Sequence, residues 1–141
     1  MRLISSVFAA ATIAGITFAG SAFAAPVTFK ASLAGKDEVP PTASTGTGSI
    51  EATFDPATKK LTWKGSYSGL TGPETMAHFH GPAAPGANAG VVVPVDAKSS
   101  PFEGSATLTD EQAADLMAGK WYFNVHTAQN KAGEIRGQMA K

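Results

Sequence analysis

Apolar and polar residues alternate with a period of two along much of this chain. "VTFKASLAG" (27–35) sets Phe29, Ala31 and Leu33 against Lys30 and Ser32, and "GSIEATFDP" (48–56) sets Ile50, Ala52 and Phe54 against Glu51 and Thr53. "KLTWKGSYSGL" (60–70) puts Leu61, Trp63 and Tyr67 on one side, with Thr62, Lys64 and Ser66 on the other. Successive side chains of a strand point to opposite faces, so each segment predicts a strand with one buried and one wet face. Asp55-Pro56-Ala57-Thr58 reads as a hairpin-type turn between the second and third. Further strands are predicted at 75–80, 91–95, 103–109, 121–127 and 133–139. One stretch breaks the period: "TDEQAADLMAG" (109–119) has Thr109 three residues before Gln112, acidic residues in its first turn and Gly119 as a stop, the signature of a short capped helix.

Two connections are long and rich in Gly and Pro, "KDEVPPTASTGTG" (36–48) and "GPAAPGANAG" (81–90). In the first, Pro40-Pro41 is expected to end a strand, with Glu38 as a loop anchor or a ligand. About eight short strands with frequent turns and one short helix predict an all-β fold, an antiparallel β-sandwich or barrel.

Composition adds a compartment. Residues 1–24, "MRLISSVFAAATIAGITFAGSAFA", have a basic start at Arg2, an uncharged apolar run and an Ala22-Phe23-Ala24 ending, the layout of a secretory signal peptide cleaved before Ala25. The mature domain is then 25–141, with no second apolar run and no membrane span, and its expected location is periplasmic or secreted. Without Arg2 it carries ten basic and eleven acidic residues, a balance that offers no field for nucleic acid. Cysteine is absent, which excludes disulfides, thiolate ligands and a thiol nucleophile. No serine stands in a G-x-S-x-G frame, and the glycine-rich loops lack the Lys-Ser/Thr ending of a phosphate cradle.

Histidine carries the remaining chemistry. The chain has three, two of them spaced His78-x-His80 in "TMAHFHGPAAPG" (75–86) and the third, His126, in "WYFNVHTAQNKAGEIRG" (121–137). On strands, Met76, His78 and His80 share one face and Ala77 and Phe79 the other, while Tyr122, Asn124 and His126 lie opposite Trp121, Phe123 and Val125. All three histidines are thus out of phase with the apolar residues, on the side where a surface or cavity site would form. Whether the two strands are neighbours is not legible locally.

If the rings converge, three neutral imidazoles with an open position suit copper, with zinc second, and fit calcium and magnesium poorly, since those take oxygen ligands. Met76 on the same face is a candidate thioether ligand that would favour Cu+ over Cu2+. Asn124 and Glu134 are candidates to hydrogen-bond the His126 ring. A hairpin near Gln129-Asn130-Lys131 would put 133–136 opposite 123–126, which makes Arg136 a candidate to draw a small anion to the metal or, alternatively, an edge residue pairing with Glu134 or Glu38.

"ASLAGKDEVPP" (31–41), "SGLTGPETMAHFHGPA" (68–83), the Gly-Asn loop before "VVVPV" and "YFNVHTAQNKAGEIRGQM" (122–139), in this order, resemble the CHRD domain family, found in chordin and in many exported bacterial proteins. The resemblance implies an immunoglobulin-like β-sandwich. More distantly the pattern is similar to copper-zinc superoxide dismutase, which would make His78 and His80 paired copper ligands, His126 a third, and Arg136 an anion guide. The chain departs from that pattern in having no further histidine to bridge copper to zinc, no evident zinc ligand cluster and no cysteine pair.

Three functions follow as expectations. The first is an exported protein that holds one copper ion for handling or buffering. The second is a superoxide-dismutase-like copper redox enzyme, and the third a metal-free module that binds a periplasmic or extracellular protein through a sheet edge or the 81–90 loop.

Overall fold

The computed structural model describes residues 24–141, so the expected leader falls outside the described residues except for its last position. The strands are β1 (Val27–Ala34), β2 (Thr47–Asp55), β3 (Lys60–Ser68), β4 (Glu74–His80), β5 (Val91–Val95), β6 (Phe102–Thr107), β7 (Tyr122–Thr127) and β8 (Ile135–Gln138), with one helix, α1 (Asp110–Met117). They form one antiparallel sheet in the order β5-β4-β7-β8-β1-β2-β3-β6. The sheet folds over on itself at β8–β1, where pairing thins to Ala34↔Arg136 and a bridge between Lys30 and Ala140. A Cβ at Gly137 would collide there with the Ser32 carbonyl, so the seam needs that glycine.

Folding the sheet over brings its two halves face to face. Trp63 of β3 meets Phe79 of β4 edge-on at 5.3 Å between ring centres, and Phe102 of β6 stacks on Phe123 of β7 at 5.8 Å. Phe29, Leu33, Leu61, Phe79, Phe123, Val125 and Ile135 fill the space between, each essentially shut off from solvent. Burial of side chains this size is worth roughly 1.5–3 kcal/mol apiece. With no disulfide, burial and hydrogen bonding among the described residues hold the domain.

The alternation predicted each strand, with differences at ends where a side chain or a turn competes. The strand expected to run to 109 stops at Thr107, because Thr109 leaves the ladder to cap α1: its hydroxyl accepts from Gln112 N and Gln112 returns a bond to Thr109 N. Gly119, at φ +73°, takes the left-handed conformation that ends the helix. The strand expected from 133 opens at Ile135, after Gly133 at φ +129° closes the turn from β7. Pro40-Pro41 does not end a strand. β1 stops at Ala34, and a 3-10 turn over Gly35–Asp37, closed by Glu38 N and Thr42 N on the Gly35 carbonyl, separates it from the prolines.

Candidate metal centre

The register of β4 on β7 decides whether the histidines meet. Ala77 pairs with Val125 and Phe79 with Phe123, and these four point into the core. The alternate rungs, Met76↔His126, His78↔Asn124 and His80↔Tyr122, therefore share the outer face. His126 sits one rung diagonally from His78, and their ring centres are 5.0 Å apart; His78 to His80 is 5.3 Å and His80 to His126 is 6.2 Å. One ring nitrogen from each falls within 4.8 Å of the others.

This outer face is not wet. His80 and His126 are 8 % and 6 % exposed, and Asn124 and Tyr122 are buried as well. The cover is the long 81–90 loop and the turn that joins β7 to β8. His80 Nδ1 lies 3.0 Å from the Ala89 carbonyl and His126 Nδ1 lies 2.8 Å from the Lys131 carbonyl. A carbonyl only accepts, so each Nδ1 carries the hydrogen and each Nε2 is left with its lone pair. His80 Nε2 is buried with no partner at all. His126 Nε2 lies 3.2 Å from His78 Nδ1, whose N–H can donate to it, and 3.0 Å from Asn124 Oδ1. With its proton on Nδ1 the His126 ring has nothing to give Asn124 Oδ1, so two acceptors face one another until a cation intervenes or the amide turns.

Burial, then the neighbouring His126 and His80 rings, lower the His78 pKa to about 4. Burial is also the leading cause that lowers His80. Both rings are neutral at pH 7, the state in which imidazole binds metal. Two imidazole nitrogens each about 2.0–2.1 Å from one tetrahedral ion are about 3.3 Å apart, close to the 3.2 Å between His78 Nδ1 and His126 Nε2. An ion there would replace the proton of that hydrogen bond, and His80 Nε2 would supply the third donor. The orphaned nitrogen, the neutral rings and the spacing fit a nitrogen-binding metal.

A profile of the CHRD domain matches residues 29–139, a span that includes every candidate site residue. The chain belongs to the CHRD domain family. No curated protein and no solved structure matched it. CHRD domains are typically extracellular modules, and among the described residues no helix is long and apolar enough to cross a membrane.

Within this CHRD domain, the other residues expected at the site divide. Asn124 is at it, on the rung of His78 and in contact with His126. Met76 lies opposite His126 and is half exposed. Glu134 is elsewhere. It was expected to support the His126 ring, but its carboxylate accepts from Ser44 Oγ, Thr71 N and Oγ1, Thr127 Oγ1 and Asn130 Nδ2, at 2.6–3.1 Å. Burial alone would raise its pKa, but these bonds, led by Thr127 and Thr71, outweigh burial and hold it at about 2. Its carboxylate is held by Thr127, the residue after His126 on β7, whose side chain points to the face opposite the His126 ring.

Arg136 differs from expectation too. It is on the predicted strand and opposite Asn124, but only 2 % exposed. Its guanidinium donates to Asn88 Oδ1 and the Ala87 carbonyl and lies 3.4 Å over the Tyr122 ring. The opposite face of Tyr122 stacks on His80, parallel, at 4.7 Å. Arg136 thus straps the 81–90 loop down and backs a stack that orients His80, and it has no face open to an incoming anion. Glu38 is buried nearby with one carboxyl oxygen unpartnered, and burial, partly offset by Arg136, raises its carboxyl to about 7.

Tyr122 was seen in the sequence only as a residue of the right phase. Its hydroxyl also bonds Ala89 N and O, which makes it the second support of the loop carbonyl that holds His80. The signal that could have found it was its position four residues before His126 on the same strand face.

Proposed function

We propose that this CHRD domain is an exported, periplasmic or secreted module that holds one copper ion through His78, His80 and His126, for copper handling or buffering. The observation that supports this most is the convergence of three imidazoles: backbone carbonyls take Nδ1 of His80 and His126, which turns Nε2 of both rings inward, His80 Nε2 with no partner, and one nitrogen from each of the three rings lies within 4.8 Å of the others. Imidazole donors suit copper or zinc, and the divalent affinity order puts Cu2+ above Zn2+. Export rests on the leader-like segment 1–24 and on a family of typically extracellular modules. The superoxide reaction has less support, because the arginine expected to draw the anion is buried and engaged.

The test is a titration of residues 25–141 with Cu2+ and, separately, with Zn2+, wild type against His78→Ala and His126→Ala, followed by thermal melts. One equivalent of copper should bind wild type more tightly than zinc and stabilise it by about 2.7 kcal/mol at a hundredfold excess over the dissociation constant. Both variants should lose the effect. A wild-type melt moved by none of Cu2+, Zn2+ and, under anaerobic conditions, Cu+ would end the metal reading.

A further inference from the structure

Met76 is the feature of this face that the three histidines leave unused. Met76 and Val91 are the large hydrophobic side chains exposed among the described residues, and Met76 is 49 % exposed beside a half-buried His78, at the edge of a cluster whose other two histidines are covered. Packing does not account for it: its strand neighbours Ala77 and Phe79 go to the core, and it projects to the other side. Its rung partner is His126, and His78 is the next residue on its own face. Directly opposed Cβ atoms are about 4.5–5.5 Å apart, so a thioether on a flexible three-bond stem reaches the space between those two rings from the solvent side.

Charge gives a second, independent indication. The side chains of metal-ligating type grouped here are three imidazoles, with no carboxylate among them. Behind them lie a buried guanidinium, Arg136 stacked on the back of Tyr122, and a buried carboxyl, Glu38, set against Arg136 and Asn124 rather than against the rings. A doubly charged ion in such a place costs about four times the desolvation of a singly charged one, and the donor group itself supplies no anion to offset it. Carboxylates do line the shallow cup of about 450 Å³ beside His78, from Glu74 and Asp96, but they share it with Lys98 and stand outside the donor group. Soft thioether and imidazole donors of zero net charge together select a soft monovalent cation.

We infer that the copper held by this domain is Cu+, and that Met76 is its fourth ligand, closing the site toward solvent with a thioether. This rests on the three-histidine reading and goes one step past it. An exposed ligand on the rim is also the first a receiving site can replace, so Met76 makes the solvent side the route of exchange.

The experiment uses Cu+ alone, under anaerobic conditions, competed against a chromophoric Cu+ chelator, with a parallel Zn2+ titration. Wild type, Met76→Leu and His78→Ala are compared. Leucine keeps the size and apolar character of a half-exposed side chain, so the apo melts of Met76→Leu and wild type should coincide. Met76→Leu should weaken Cu+ by about tenfold or more, leave Zn2+ within about twofold, and remove a copper–sulfur shell from the X-ray absorption spectrum. Unchanged Cu+ affinity in Met76→Leu, with His78→Ala inactive, would overturn the thioether assignment and spare the histidine site. Equal losses for Cu+ and Zn2+ would overturn it as well, since Met76 would then act through the fold. Failure of wild type to take up either metal would overturn both readings together.

Discussion

The outer faces of the two halves of this sandwich are written in the same alternating code and end in opposite environments. On β1-β2-β3 the out-of-phase residues are Lys30, Glu51 and Lys64, paired rung to rung and largely in water, with Glu51 at 3.1 Å from Lys30 and 3.5 Å from Lys64. On β7 and β8 they are Tyr122, Asn124, His126 and Arg136, all buried. The difference lies in what is laid over each face. The first is left open. The second is roofed by the 81–90 loop and by the turn at Lys131, so its polar atoms must find partners within the protein or bind something.

The largest effect should come from the covered half. Glu134→Gln puts an amide N–H₂ among donors that now converge on a carboxylate, and at pH 7 should cost about 3 kcal/mol, read as a denaturant midpoint. The sign with pH follows from a folded pKa of about 2 against an ordinary 4.5. A depressed carboxyl stabilises fully above the unfolded value and loses that stabilisation as pH falls through the folded one. The gap between wild type and Glu134→Gln should therefore hold above pH 4.5 and shrink toward zero near pH 2. A gap that does not depend on pH would mean the carboxylate charge is not what the five donors recognise.

A smaller effect is expected at the strap. Arg136→Lys keeps the charge but not the planar stack on Tyr122 or the pair of bonds to Ala87 and Asn88. It should cost about 1–2 kcal/mol, speed amide exchange at Ala89, and weaken copper by up to about tenfold through the freed His80 ring. Full copper affinity with a loosened loop would separate the strap from the site. The smallest effect belongs to the open half. Glu51→Gln should leave stability unchanged within error, because exposed ion pairs contribute little, even though its Lys30 bond and the Lys30 and Lys64 charges lower its pKa. A clear destabilisation there would erase the contrast between the faces.

Chain patterning carried the eight strands, the capped helix and the phase of every candidate residue, because a period of two and a capping box are written within a few neighbouring positions. The H-x-H pair was legible for the same reason. That His126 joins it was not: 48 residues separate it from His78, and only the antiparallel register of β4 on β7 puts them one rung apart. Phase alone also could not tell a wet face from a roofed one, which is why Glu134 and Arg136 read as site residues. Glu134 went to its own hydroxyl and amide cage, and Arg136 became the strap of a loop. Local sequence set which way each side chain points. The long loops and the strand order, which are properties of the whole chain's packing, decided what each one meets.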